Sequence, residues 1–485
     1  MRPLKADALV VSSCNGVIPP GNMLMEHSPV GIALSSSLPP VRRHVSLPAR
    51  LIWLRDFLWP AFILLYPLLT PNGGDFATSV TIHSTWAILC SLLGAIFELL
   101  ARPATQLRDI VLLPRWLWSH KPVLMAWLLG LWVIISSSQA QDRAAAFAGS
   151  GFDFTDSASW VLSLIAVFTL VYIRALADEK LKQRCVNALI VSTLILALGG
   201  IVEVVMGRGI FLNAGEQTNL LPIVNFPQKG HLAGWLVVGC AAALASRQRW
   251  ALFAMLPIAC TIALTGNRAA LVAIGLVAVA TLIMHSQKRA QVVKVGALVL
   301  TFLLGMGVSR MHQGKETRQL QDTSSMSSRT MLWTAGGRGV MERPIFGWGG
   351  GQFYSHWTDQ LTDGELKTFL RFEFNEKFAY RKDGMVYRVT QDGHVRPRIW
   401  IGWKAHNQIL DFAIMYGLPG AAILVGLMVL ALLNVRNLEV WAAFAAYSVF
   451  MLLWFPIPWS EGALWALWGL ASAVGPRKRT LSETI

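Results

Sequence analysis

Apolar residues fall along this chain in runs of membrane-spanning length, divided by polar stretches. The runs are Leu51–Leu69, Ile82–Leu100, Pro122–Ser137, Trp160–Leu176, Val186–Met206, His231–Ser246, Trp250–Leu264, Arg268–Met284, Val292–Val308, Gln408–Leu433, Trp441–Trp454 and Ala463–Val474. Only a helix or a closed barrel satisfies its backbone hydrogen bonds in hydrocarbon, and a barrel would show short alternating segments instead. The pattern predicts an all-α polytopic membrane protein of about twelve transmembrane helices.

One polar stretch, between Ser309 and Lys404, is far longer than the others. Its first part, Arg329–Gly351, predicts an amphipathic helix around Met331–Met341 that ends before Pro344 in a Gly-rich turn. Further on, Asp383-Gly384 and Asp392-Gly393 sit between short runs of Tyr, Val and Phe, which predicts a hairpin or small β-meander. The expected organisation is a disordered cytoplasmic tail (1–50), a bundle of about nine helices (51–309), a loop domain (310–404), the last three helices (405–475) and a cytoplasmic tail (476–485).

Charge orients this scheme. With the N-terminus in the cytoplasm, the inside loops collect Arg42, Arg43, Arg102, Arg108, Lys180, Lys182, Lys288, Arg289 and Arg477–Arg479 with their neighbours. The short outside loops hold only Arg143, Arg208 and Lys229, with Arg268 at the edge. This asymmetry predicts both termini inside and the long polar stretch outside, in the periplasm of a Gram-negative cell. The net charge of +15 is thereby assigned to loops at the membrane, and nucleic acid is not expected as a partner. The five cysteines avoid the long stretch and show no zinc-ligand spacing.

Candidate chemistry gathers on the predicted outside face. In AHNQILDFAIMYGLPGA, His406 stands at the mouth of an apolar run that Gly417-Leu418-Pro419-Gly420 interrupts. A histidine at such a water-facing mouth keeps a pKa near neutrality, and its neutral ring can accept a proton from a hydroxyl. Asn407 beside it can fix that ring or touch a sugar. Arg268 opens a helix after almost no loop, so it either reaches to lipid head groups or binds an anion in a cavity. Arg329 alone reads as a surface residue, Gln228, Lys229 and His231 as an interfacial collar, and His356 as structural. Glu203 and Asp411, in or near apolar runs, are expected to face the bundle interior or a water-filled cavity. Together the arginines, histidine and glutamine suit an anionic substrate with a lipid tail, since guanidinium groups grip phosphate oxygens in pairs. No Asp-x-Asp pair in the outer loops favours metal-dependent sugar transfer. A polytopic transporter is the alternative of another class.

GNRAAL around Arg268, the Arg329 segment ending PIFGWGGGQF, and HNQILDFAIMYGLPG resemble, in that order, the bacterial O-antigen ligase superfamily. That superfamily includes lipopolysaccharide O-antigen ligases, protein O-oligosaccharyltransferases and some polysaccharide polymerases. The resemblance implies transfer of a glycan from undecaprenyl diphosphate to an acceptor hydroxyl, without a cofactor or metal. It implies diphosphate binding by Arg268 and Arg329, a catalytic or acceptor-orienting His406, and Gln228, His231 and Asn407 as candidate substrate contacts. The implied partners are the lipid-linked glycan, an acceptor protein or lipid A–core, and membrane lipids. NFPQKGHLAG and PIFGWGGGQF are closer to the protein-modifying branch. Many members, however, carry an acidic residue where Met415 stands, and the chain ends soon after its last run, without the longer C-terminal region of several protein-modifying members.

Overall fold

A computed structural model describes residues 49–69, 76–100, 113–149, 156–210, 222–312, 315–352, 356–374, 377–382, 385–397 and 404–474. The expected tails, apart from Ala49 and Arg50, lie outside the described residues. The helices are α1 (Ala49–Leu65), α2 (Phe76–Leu100), α3 (Leu113–Ser119), α4 (Lys121–Ser138), α5 (Arg143–Ala148), α6 (Ala158–Ala177) and α7 (Lys180–Met206). They continue as α8 (Lys229–Ala245), α9 (Arg249–Thr265), α10 (Arg268–Met284), α11 (Lys288–His312), α12 (Lys315–Glu342) and α13 (Asp363–Phe374). The last three are α14 (Gln408–Asn434), α15 (Leu438–Met451) and α16 (Pro458–Ser472).

The chain is an all-α polytopic membrane protein in its bundle. Each apolar run lies on a helix, and among the described residues seven helices are long and apolar enough to cross a membrane: α1, α2, α4, α6, α7, α11 and α14. α8, α9, α10 and α15 are apolar but shorter. For α8 its place explains how a shorter helix suffices: every residue from Gly230 to Ala245 is buried by protein, as is all of α16. Such helices match their neighbours rather than a bilayer thickness. The outer helices do the reverse. Leu300, Leu303 and Leu304 of α11 and Ile283 of α10 are exposed, which suits contact with lipid tails.

Small residues let the central helices approach closely. A Cβ on Gly230 of α8 would come within 2.2 Å of the Trp454 ring, so only glycine seats that indole. Glu203, buried in α7, accepts backbone N–H groups from Ile210, Ile223 and Val224 at 3.0, 2.9 and 2.8 Å. This carboxylate therefore fixes the approach to α8.

Between α11 and α14 the amphipathic helix is longer than expected. It starts at Lys315 rather than near Met331, and it ends at Glu342 before Pro344 as the proline requires. The Asp-Gly pairs give a three-stranded antiparallel meander: β1 (Phe378–Lys382), β2 (Met385–Val389) and β3 (Val395–Pro397), in the order β1-β2-β3. Lys382 pairs with Met385, while Asp383-Gly384 lies outside the described residues. β1 packs on α13, where Arg381 reaches Asp363 and the Leu361 carbonyl.

α14 is broken. Gly417 takes φ 72° and ψ 175°, a conformation almost confined to glycine. A Cβ there would lie 1.8 Å from the Ile345 carbonyl oxygen. The break frees carbonyls that the PIFGWGG loop and α4 then satisfy. Trp348 and Gly349 donate backbone N–H groups to Ile414 and Met415 at 2.9 and 2.8 Å. Trp132 Nε1 donates to Tyr416 O at 2.7 Å, and Ser136 Oγ donates to Phe346 O and Met415 O at 2.5 and 3.2 Å. In return the Leu418 N–H donates to Pro344 O at 2.8 Å.

Candidate active site

The site forms where α14 begins. Asn407 is its N-cap: the side-chain Oδ1 accepts the Leu410 N–H at 3.0 Å, while Nδ2 donates to Leu452 O at 3.0 Å. Both ends of this side chain thus serve the main chain, tying α14 to the end of α15. His406, just before the cap, adopts φ 57°. A side chain in this left-handed region costs about 1–2 kcal/mol, so its surroundings must hold it there.

Those surroundings are aromatic. The His406 ring meets Trp454 and Phe455 edge to face, with centroids 4.9 and 4.7 Å apart. His231 meets the same two rings at 5.8 and 4.9 Å, and its Nδ1 accepts the Trp454 indole N–H at 3.1 Å. That bond places any proton of neutral His231 on Nε2. The Arg329 guanidinium lies 4.9 Å from the Trp454 centroid. Such a cation–π contact is worth about 0.5–2 kcal/mol.

His406 is half-buried, but its Nδ1 is fully covered and has no hydrogen-bond partner. Burial, joined by the charge of Arg329, pushes the imidazole down to about 3. The expectation of a pKa near neutrality is therefore corrected. The mouth of α14 is roofed by aromatic rings, which stabilise a protonated ring far less than water does.

Phe455 also borders a largely buried polar cluster. Lys404 Nζ is 5.8 Å from the Phe455 centroid and 2.7 Å from Asp156 Oδ1. Burial works against the Lys404 ammonium, but Asp156, Glu461 and Asp411 together hold its pKa above the usual lysine range. Asp411 Oδ1 accepts the Ala405 N–H at 2.7 Å, and Glu461 Oε2 accepts the Trp160 indole N–H at 2.8 Å. Tyr416 Oη donates to Asp156 O at 2.6 Å, joining this cluster to the break in α14. These groups line a small cavity with Gln408.

Arg268 is exposed at the first turn of α10, directly after the Asn267 cap, whose Oδ1 accepts Ala270 N–H at 3.0 Å. The short links 246–248 and 266–267 make α8, α9 and α10 alternate in direction. Arg268 therefore stands at the bundle end that carries His231, on a helix packed against α8 and α15. Gln228 is exposed at the N-cap of α8, where its backbone carbonyl accepts from His231 and Leu232. His356 stacks on Trp348 at 4.3 Å, with Arg343 4.4 Å from the same indole. The structure thus joins His406, His231 and Arg329 on one aromatic pair and adds Asn407 as the tie beneath. Arg268 and Gln228 stand at the same bundle end, outside the ring contacts described.

Trp454, Phe455, Lys404, Asp156 and Glu461 were not singled out in the sequence. Their signals are faint: an aromatic pair before Pro456, and one acid within the apolar run WSEGALW. Among the described residues no group of three or more His, Cys, Asp or Glu could hold a metal ion.

Fold and site define a multi-pass membrane protein with a polar, aromatic-walled site at one bundle end. Residues 250–425, from α9 to beyond the break in α14, match the family model described as O-antigen ligase. The matched segment includes Arg268, Arg329 and His406. No curated protein matches the chain.

Proposed function

We propose that the chain is an inner-membrane glycan transferase. It moves an oligo- or polysaccharide en bloc from undecaprenyl diphosphate to an acceptor hydroxyl on the periplasmic side. The observation that carries this reading is the meeting of His406 and Arg329 on Trp454. The acceptor oxygen attacks the anomeric carbon, and the bond from that carbon to the diphosphate breaks. Arg329 and Arg268 meet the charge that grows on the leaving diphosphate, as guanidinium groups do for phosphate elsewhere. This is the task a divalent ion performs in metal-dependent transferases, so the reaction is metal-independent in this reading.

His406 takes the acceptor proton. With its pKa pushed down to about 3 it is neutral at working pH but a weak base. It therefore takes the proton late, once the attacking oxygen has begun to bond to the anomeric carbon and become acidic, and then releases it readily to water. The resemblance of the QKGH and GWGGGQF segments to the protein-modifying branch makes a pilin-type protein hydroxyl the acceptor, with lipid A–core or a growing glycan as alternatives.

The test is transfer from a lipid-linked donor by purified protein in lipid. His406→Ala is expected to insert normally, bind donor and transfer about a hundredfold more slowly. Transfer near the wild-type rate would remove His406 from the chemistry. A periplasm-only reporter fused near Gly364 should be active and one near Gln287 silent; the reverse would put the site on the wrong side. In deletion cells, loss of the lipopolysaccharide ladder with an unchanged pilin mass would shift the acceptor to lipid A–core.

A further inference from the structure

His406 holds a left-handed backbone conformation next to a reacting position, and something must keep it there. Downstream the reason is visible: Asn407 caps α14 and grips Leu452 O. Upstream the hold comes from farther along the chain. Asp411, at the end of the first turn of α14, turns back so that Oδ1 accepts the Ala405 N–H at 2.7 Å. This resembles a capping box, but it reaches a residue two places before the cap and thereby spans His406.

The rest of Asp411 shows that the arrangement is not the cheapest one. The residue is 3% exposed and lines the small cavity shared with Lys404 and Gln408, yet its second oxygen, Oδ2, has no hydrogen-bond partner. The Gln408 Nε2 there is likewise buried and unpartnered. A buried acceptor left unmade is costly, and an apolar residue at this place would avoid the cost. What an apolar residue could not do is hold Ala405. Lys404, paired with Asp156, brings a positive charge to the same cavity.

We propose that Asp411 is a positioning residue: through the Ala405 N–H it fixes the main chain on which His406 is presented to Trp454 and Arg329. This rests on the reading of His406 as a participant in transfer. Displacing a reacting group by about 1 Å costs on the order of a hundredfold in rate, so a loosened His406 should be costly without any lost substrate contact.

Four measurements on the full-length protein in lipid test this. Asp411→Ala should lower kcat by about tenfold to a hundredfold with KM for the lipid-linked donor little changed. Asp411→Asn, whose carboxamide oxygen can still accept the Ala405 N–H, should recover most of kcat. In a His406→Ala background, Asp411→Ala should add nothing. Hydrogen exchange in the peptide that carries Ala405–Asn407 should be slow in the wild type and fast in Asp411→Ala. An unchanged kcat in Asp411→Ala, additive losses in the double variant, or unchanged exchange would each overturn the proposal. Should Asp411→Ala fail to insert, a loss in Asp411→Asn as deep as that foreseen for alanine would also overturn it. If the wild type itself transfers no glycan, the transferase reading fails, and the exchange comparison still decides whether Asp411 positions this segment.

Discussion

Two places along α14 depart from regular helix, and they are completed in different ways. At Gly417 the turn opens inside the bundle, and the carbonyls of Ile414, Met415 and Tyr416 are all met, by Trp348 and Gly349 main chain and by Ser136 and Trp132. At His406 the helix starts, and spare capacity remains: His406 Nδ1, Gln408 Nε2 and Asp411 Oδ2 are buried without hydrogen-bond partners. The break has the saturation expected of architecture. The mouth keeps polar atoms in reserve, which is what a site that must still receive something requires. The two regions are linked, because the Tyr416 hydroxyl reaches the Asp156 carbonyl whose carboxylate holds Lys404.

The comparison breaks most visibly at Gly417. Gly417→Ala forces a Cβ against the Ile345 carbonyl in a conformation closed to alanine, at a cost of at least about 3 kcal/mol. The expected result is loss of the folded protein, read as a collapse of the thermal midpoint in detergent. Gly275→Ala, with nothing within 4 Å, is the control and should leave the midpoint at or above that of the wild type.

Arg268→Lys tests the mouth. Lysine keeps the charge but not the planar fork, so one charge-assisted bond of about 1.5–3 kcal/mol is lost, or roughly tenfold or more in transfer. Folding should be unaffected; equal transfer by the lysine variant would return Arg268 to a lipid-contacting role. Ser136→Ala is milder. It removes the donor to Phe346 O and Met415 O, for about 1–3 kcal/mol of stability, with the rate per folded molecule unchanged. A fall in that rate would mean that the break, too, belongs to the chemistry.

The smallest effect is one of pH. A protonated His406 cannot accept a proton, so the acid limb of kcat/KM falls where pH passes through its own pKa. At an ordinary value of 6.5 only about 3% of rings would be neutral at pH 5. With the ring pushed down to about 3, transfer should be nearly flat from pH 8 to 5 as far as His406 is concerned. An acid limb near 6.5 that vanishes in His406→Ala would show that the ring is more open to water than its aromatic roof suggests. Arg329→Gln, by removing the second cause of the depression, should move the limb upward.

Much of this was legible in the chain. The length and apolarity of the runs mark the helices, because a segment in hydrocarbon must close its own hydrogen bonds. Pro344 marks the end of α12, Asp392-Gly393 a turn of the meander, and Gly417 the weak point of α14, since each constrains the backbone where it stands. His406 at the start of α14 could be seen as a boundary between polar and apolar residues.

What the sequence left open is which distant segment completes each of these places. Trp132 lies 284 residues from the carbonyl it meets, Trp160 lies 301 from Glu461, and Trp454 lies 223 from His231. The reach of α12 back to Lys315 was missed because its first turns carry no apolar stripe. The depressed pKa of His406 was missed because burial belongs to the assembled bundle rather than to the residue. Backbone preference and hydrophobic length act between neighbours in the chain, so they can be read in order. Desolvation, aromatic contact and the pairing of Lys404 with Asp156 exist only once helices far apart in sequence have packed together.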